Sequence, residues 1–175
     1  MERSLALDVA YLGVAEPGDG VAGTEFTQCV DVDTVTFNFS DAKELSFTSM
    51  GHEDPWAVVR GKGDPSSIEF TIPSPTSDEM KMFCGGTVSG DKWEAPLSTP
   101  SILKTIRLQS LPYQGKFTEY VFVKCSVFGK ISQAPDKENC DLLLVKATIM
   151  TPVSAAGKQA SPYSRAVKAV SEDTE

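Results

Sequence analysis

The stretch that decides the fold is KFTEYVFVKCSVFGKIS, residues 116–132. It has the pattern of a β-strand, yet it is about three times longer than the usual strand of roughly 5–6 residues. A strand of this length predicts a bend or bulge, which we expect near Gly129, because glycine within a strand often marks such a site. The chain is therefore predicted to be built around one long strand.

Other stretches on both sides of it also have strand patterns. In residues 30–40, Val35, Phe37 and Phe39 alternate with polar residues, which is typical of a half-buried strand. We expect residues 43–50 to pair with this strand through a turn near Ser40 and Asp41. Further strands are predicted over 67–72, 102–110 and 140–153, and a hairpin over 87–96 with its turn at 89–91.

Residues 74–86 predict the one clear helix. Thr76 and Glu79 have the spacing of a capping box, in which each side chain bonds the backbone of the other. Met80, Phe83 and Cys84 fall on one helical face, and Gly85 or Gly86 is suited to end the helix.

These elements predict a mainly β (α+β) protein, an antiparallel β-sandwich or barrel with one flanking helix. We expect a single domain over residues 1–175, with an N-terminal arm or loop region over 1–28. An extended loop is predicted over 48–66 and a C-terminal arm over 160–175. No stretch reaches the roughly 20 apolar residues of a membrane span, so no membrane association is expected.

The acidic charge is concentrated in the first half of the chain. Residues 1–88 hold 15 acidic and 5 basic residues, a net charge of −10, whereas residues 89–175 hold 9 and 11, a net charge of +2. The overall charge of −8 argues against specific nucleic-acid binding, which needs a basic surface. It is compatible with a protein past which DNA slides.

Catalytic and metal-binding patterns are missing from the sequence. The only histidine is His52, and the four cysteines include no Cys-x-x-Cys pair. We expect no enzyme activity, no metal and no cofactor, and free thiols in a reducing compartment.

The segment DPWAVVRGKGDP, residues 54–65, raises a separate question. Its apolar residues lie between two Asp-Pro pairs and a glycine-broken basic segment, so a short extended piece in an irregular region is predicted. An uncovered tryptophan there would be unusual for a soluble monomer. Either Trp56 packs on its own sandwich or another subunit covers it.

The order of features resembles the tail tube (major tail) proteins of long-tailed bacteriophages and prophages. Residues 51–96 carry the resemblance, with an acidic extended loop, a strand, a capped helix ending in Gly-Gly and a hairpin with tryptophan and proline. The paired strand patterns of residues 113–150 extend it, and together they cover about half of the chain. Type VI secretion and contractile injection tubes share this architecture.

The resemblance implies six-membered rings that stack into a hollow tube in the virion tail, assembled in the cytoplasm of a host bacterium. The partners would be other copies of the chain, a tape-measure protein and tail-completion or terminator proteins, while DNA passes without specific binding. Two alternatives stay open, namely a β-sandwich binding or decoration module for sugar or protein, and the tube of a contractile injection system.

Two sets of residues are candidates for these roles. We expect subunit and ring-stacking contacts from the extended loop, at His52, Glu53, Asp54, Trp56, Val58, Val59, Arg60 and Lys62. We expect an acidic lumen surface, which would repel phosphate, from Asp31, Asp33, Asp41 and Glu44.

Overall fold

A computed structural model describes residues 5–29, 31–51 and 53–170. These residues form mainly antiparallel β-structure, with 51% of the chain in strands and 5% in helix, which confirms the predicted fold class. The elements are β1 (Leu7–Ala15), β2 (Thr27–Gln28), β3 (Val35–Asn38), β4 (Lys43–Phe47), β5 (Ala57–Gly61), β6 (Ser67–Pro73), α1 (Ser77–Cys84), β7 (Thr87–Ser89), β8 (Lys92–Glu94), β9 (Ile102–Leu111), β10 (Lys116–Gln133), β11 (Leu142–Ile149) and β12 (Tyr163–Ala169).

Strand β10 organises the main sheet, whose order is β2-β1-β9-β10-β11-β6-β3. The first part of β10 pairs with β9 on one side and β12 on the other, and its last part pairs with β11. Strands β12 and β11 therefore pair with successive parts of the same edge of β10, which is 18 residues long.

Strand β10 has two irregularities, one before and one shortly after the predicted site. The register with β9 shifts between Phe122 and Cys125, and the register with β11 shifts between Ile131 and Gln133, whereas Gly129 itself stays paired with Val145 of β11. Gly129 serves helix packing instead, because a Cβ there would lie 3.0 Å from the Cβ of Phe83 and 2.9 Å from the Sγ of Cys84. The missing side chain lets α1 lie close against the sheet.

The sheet curls so that its edge strand β3 meets the centre of β10. The ring of Phe37 lies 5.4 Å from Tyr120 and 5.7 Å from Phe122, between centroids. Neighbouring strands are about 4.8 Å apart, so side chains from strands three positions apart meet only if the sheet bends around the core. The enclosed core includes Leu12, Val14, Ile68, Phe70, Ile72, Met80, Phe83, Ile106, Leu108, Phe122, Cys125, Val127, Leu143, Val145 and Ala147.

Helix α1 follows the predicted local signals but is shorter than the predicted range. Thr76 is the N-cap of an eight-residue helix, its Oγ1 accepts from the Glu79 backbone N–H, and the Glu79 carboxylate accepts from the Thr76 N–H at 2.8 Å. Gly85 ends the helix with φ 74°. Met80 and Phe83 are buried against the sheet, as the spacing predicted.

The predicted N-terminal arm or loop region contains a strand of the main sheet. Residues Leu7–Ala15 form β1, which pairs with β9 and buries Leu12 and Val14 in the core. The loop that follows is tied down, since the Ala155 N–H donates to Asp19 at 2.7 Å and the Gly23 N–H donates to Thr105 at 3.0 Å. Register shifts on both sides of Val9 break the simple alternation that would have revealed this strand.

The C-terminal region is likewise more ordered than an arm. Residues Tyr163–Ala169 form β12, which pairs with Lys116–Phe122 of β10. All seven residues of β12 are exposed, so the strand has no apolar alternation to detect. Residues 171–175 of the predicted arm lie outside the described residues.

The predicted pairing of residues 43–50 with residues 30–40 is wrong. Strand β3 pairs with β6, with Val35 opposite Phe70 and Phe37 opposite Ile68. Strand β4 pairs with β5 in a separate two-stranded sheet. Because Phe37 belongs to the core, β3 is drawn to the buried strand β6 and leaves β4 outside.

Candidate functional site

The β4–β5 hairpin, residues 43–61, is the most unusual feature of the surface. Its two strands pair only with each other, with Lys43 opposite Gly61 and Phe47 opposite Ala57. Much of the predicted extended loop over 48–66 is thus the second strand of this hairpin and the turn that leads into it. A two-stranded hairpin is at best marginally stable alone in water.

The hairpin exposes six large apolar side chains. Met50 at the turn is 99% exposed and Trp56 is 72% exposed. Leu45, Phe47, Val58 and Val59 complete the set. Alternation along the strands places Leu45, Phe47 and Val59 on one face and Val58 on the other, so both faces are partly apolar.

Trp56 does not pack on its own sandwich. Its ring lies 6.2 Å from that of Phe47, on the same hairpin, and its backbone N–H donates to the Phe47 carbonyl at 2.9 Å. The intramolecular alternative is therefore wrong, and the tryptophan remains largely open to solvent.

The charged residues of the hairpin form two weak pairs. Arg60 lies 4.0 Å from Glu44, and Lys43 lies 3.9 Å from Asp64, with all four side chains well exposed. Exposed pairs of this kind contribute little to stability. Glu53 and Asp54, at the turn, and Lys62 are exposed and form no ion pair within the described part of the chain. His52, the remaining candidate contact, lies outside the described residues.

The root of the hairpin is fixed more firmly than its tip. The Ser40 hydroxyl donates to the Asp64 carbonyl, and the Ser40 N–H donates to the Ser66 hydroxyl at 3.3 Å. Gly63 packs so closely on the Asp41 carbonyl oxygen that a Cβ at this position would overlap with it. The hairpin therefore leaves the sandwich at a set place, and its large apolar residues are exposed.

The four candidate lumen residues do not share one strand face. Asp31 and Asp33 precede β3, and Asp31 has a φ of 60°, so these two residues do not lie on a strand. Asp41 lies at the hairpin root, and Glu44 lies on β4 beside Arg60. All four are exposed, spread along the chain from before β3 to the hairpin.

An ionic cluster around the buried Glu119, which the sequence pattern did not reveal, joins β9, β10 and β12. Glu119 is 5% exposed, pairs with Lys168 at 2.5 Å and accepts from Gln109 at 3.0 Å. Burial alone would raise the pKa of Glu119, but these hydrogen bonds and the charges of Lys168 and Arg107 outweigh it and lower the pKa. The Arg107 guanidinium lies 4.1 Å from the ring of Phe26. Through Lys168, this cluster adds an ion pair to the backbone pairing of β12 with β10.

The four cysteines are free. Burial raises the pKa of Cys125 to about 12, and burial together with the charge of Glu79 raises the pKa of Cys29 to about 12. These two thiols therefore stay protonated, and a protonated thiol is neither a nucleophile nor a metal ligand. Cys140 is exposed.

Comparison with known proteins does not assign the chain to a family. No protein-family model matches the sequence, and no curated protein matches it significantly. Across residues 5–29, 31–51 and 53–170, no helix is long and apolar enough to cross a membrane, and no group of three or more His, Cys, Asp or Glu side chains is placed to hold a metal ion.

Proposed function

We propose that this chain is a structural tail tube protein of a long-tailed phage or prophage. Copies of it assemble into six-membered rings, and the rings stack into a hollow conduit for DNA. The observation that carries the proposal is the β4–β5 hairpin, which extends from a well-packed sandwich with apolar side chains on both faces. The protein acts through assembly and not as an enzyme.

The hairpin has the properties of an assembly element. Covering apolar surface stabilises a complex by about 25 cal/mol per Å², and an aromatic side chain such as Trp56 offers the largest area. Because Val58 and Val59 face opposite ways, one flat partner surface would leave one of them in water. A hairpin inserted between neighbouring subunits of an assembly covers both.

The charge of the chain suits a conduit. A net charge of −8 gives phosphate no favourable surface, so DNA can move through without being held. In this proposal Asp31, Asp33, Asp41 and Glu44 contribute the negative potential of the lumen. The tape-measure protein would occupy the channel before DNA, tail-completion or terminator proteins would close the tube, and the assembled protein would reside in the virion tail.

A tube of a contractile injection system would use the same hairpin, and differs in having a sheath around the tube. A β-sandwich binding or decoration module is the alternative of another class. It would remain a monomer at every concentration, and its melting temperature would rise with a sugar or protein ligand.

The decisive variant removes the hairpin and leaves the sandwich. Since Asp41 and Gly63 are in contact, a short Gly-Ser turn can join them in place of residues 42–62. We expect a folded monomer with a cooperative melting transition that forms no rings in the electron microscope. Rings formed by this shortened chain would contradict the role of the hairpin.

A further inference from the structure

A groove lies between α1, the loop after β8 and the end of β10. Its volume is about 470 Å³. We call it the α1–β10 groove, and it is lined by Met80, Cys84, Trp93, Pro96, Leu97, Ser98, Thr99, Pro100, Phe128, Gly129, Lys130 and Ile131. Leu97, Phe128 and Ile131 are exposed, so the groove presents three large apolar side chains to solvent.

One wall of the groove is an unpaired strand edge. The pairing of β9 with β10 ends where Ile102 meets Val127. Beyond that point, residues 128–133 of β10 pair with β11 on one side only. The free edge can accept a further strand, because its outward N–H and C=O groups have no strand partner within the described residues.

The groove and the hairpin tip carry opposite charges. Lys130 is the single charged residue in the lining, and it forms no ion pair with any residue that the structure describes. Glu53 and Asp54, at the hairpin turn, also have no ion-pair partner there. Lys130 in the groove and the two carboxylates at the hairpin turn are therefore complementary in charge.

We infer that the α1–β10 groove receives the β4–β5 hairpin of a second copy of this chain. The inference rests on the proposed function and adds to it the receiving surface on the neighbour. The hairpin supplies exposed apolar side chains and an unpaired strand edge, and the groove supplies an apolar wall and another unpaired edge. Edge-to-edge pairing satisfies the backbone groups of both.

Because the two surfaces are different parts of the chain, the hairpin of each copy can enter the groove of the next copy in a head-to-tail series. Unless two copies exchange hairpins reciprocally, such contacts continue from copy to copy until a ring closes or a stack forms. At one end of an open series the last copy has an unbound hairpin, and at the other end the last copy has an empty groove. Two variants, one with a damaged hairpin and one with a damaged groove, therefore test the arrangement directly.

Mixing is the first experiment. Trp56→Glu damages the hairpin, and Leu97→Asp with Lys130→Glu damages the groove; all three positions are exposed, so folding should be retained. Val21→Asp, at an exposed apolar residue in the loop after β1, is the matched control. We expect each defective variant to be a monomer by sedimentation, the control to assemble like the unmodified chain, and an equimolar mixture of the two defective variants to form a 1:1 dimer.

Cross-linking is the second experiment. A photoreactive benzoylphenylalanine replaces Met50 at the hairpin tip, and the peptides joined after irradiation are identified by mass spectrometry. We expect intermolecular links to residues 96–100 or 128–131. Links to another surface, or a groove variant that assembles normally, would overturn the groove assignment. Failure of the unmodified chain to self-associate at all would instead overturn the proposed function itself.

Discussion

Replacing Trp56 with alanine separates a role in assembly from a role in the fold. The side chain is 72% exposed in the single chain. A fully buried tryptophan covers up to about 250 Å², so a neighbouring subunit that covered the exposed part would remove about 180 Å² from water. At about 25 cal/mol per Å², this area corresponds to about 4.5 kcal/mol.

Alanine keeps a small part of that area, so we expect the variant to lose about 2–4 kcal/mol per contact, which is the range of strong interface residues. Since each 1.4 kcal/mol is a factor of ten, the dissociation constant should rise roughly 30- to 700-fold. The free energy of unfolding of the monomer should fall by only about 1 kcal/mol, mainly through the lost contact with Phe47.

The two quantities are measured separately. Sedimentation velocity across a concentration series gives the concentration at which assembly begins, and urea unfolding at low concentration gives the stability of the monomer. Trp93 provides the contrast for stability, because its indole N–H donates to the Gly85 carbonyl at 2.8 Å and its ring packs on the core. A Trp56→Ala variant that assembled normally but unfolded more easily than Trp93→Phe would refute the reasoning.

Three further predictions concern the sandwich and the lumen. Gly129→Ala should lower the free energy of unfolding, measured by urea titration, by about 1–3 kcal/mol, because the added Cβ would press on α1. Gly61→Ala is the control and should leave the free energy of unfolding unchanged, because a Cβ at this position would have only one neighbour, at 3.9 Å. Folding lowers the pKa of Glu119, so the contribution of this residue to stability is present above its unfolded pKa of about 4.3 and is lost as the pH falls through the folded value. Glu119→Gln should therefore weaken the fall of the melting temperature at acidic pH. A melting temperature that falls as steeply in this variant as in the unmodified chain would contradict the assignment. Reversing Asp31 and Asp33 to lysine should slow DNA ejection from assembled particles in a salt-dependent manner, and unchanged ejection would remove these residues from the lumen surface.

The sequence predicted those parts of the fold whose causes are local. The capping box of Thr76 and Glu79 depends on residues three apart, and the alternation of Ile106 and Leu108 reports one buried face of one strand. Strand β12 escaped prediction because its residues are all exposed and pairing with β10 holds it in place. The partner of β3 could not be found from neighbouring residues, because β6 lies some thirty residues away along the chain.

The candidate site was predicted in part. The flanking Asp-Pro pairs and the glycines marked residues 54–65 as a special segment, and the structure places Trp56, Val58 and Val59 on an exposed hairpin. The groove could not be inferred in the same way, because it joins α1, the loop after β8 and β10 only through the curl of the sheet. The acidic residues Asp31 and Asp33 lie before β3, which begins at Val35, so the strand pattern of residues 30–40 did not reveal their position.

The most direct test of the central claim is negative-stain electron microscopy of the purified chain across a concentration series, with light scattering on the same samples. The account predicts rings with a central hole that stack into hollow tubes as the concentration rises. A single species of 18.8 kDa at every concentration would contradict it, since a tube protein must associate with copies of itself.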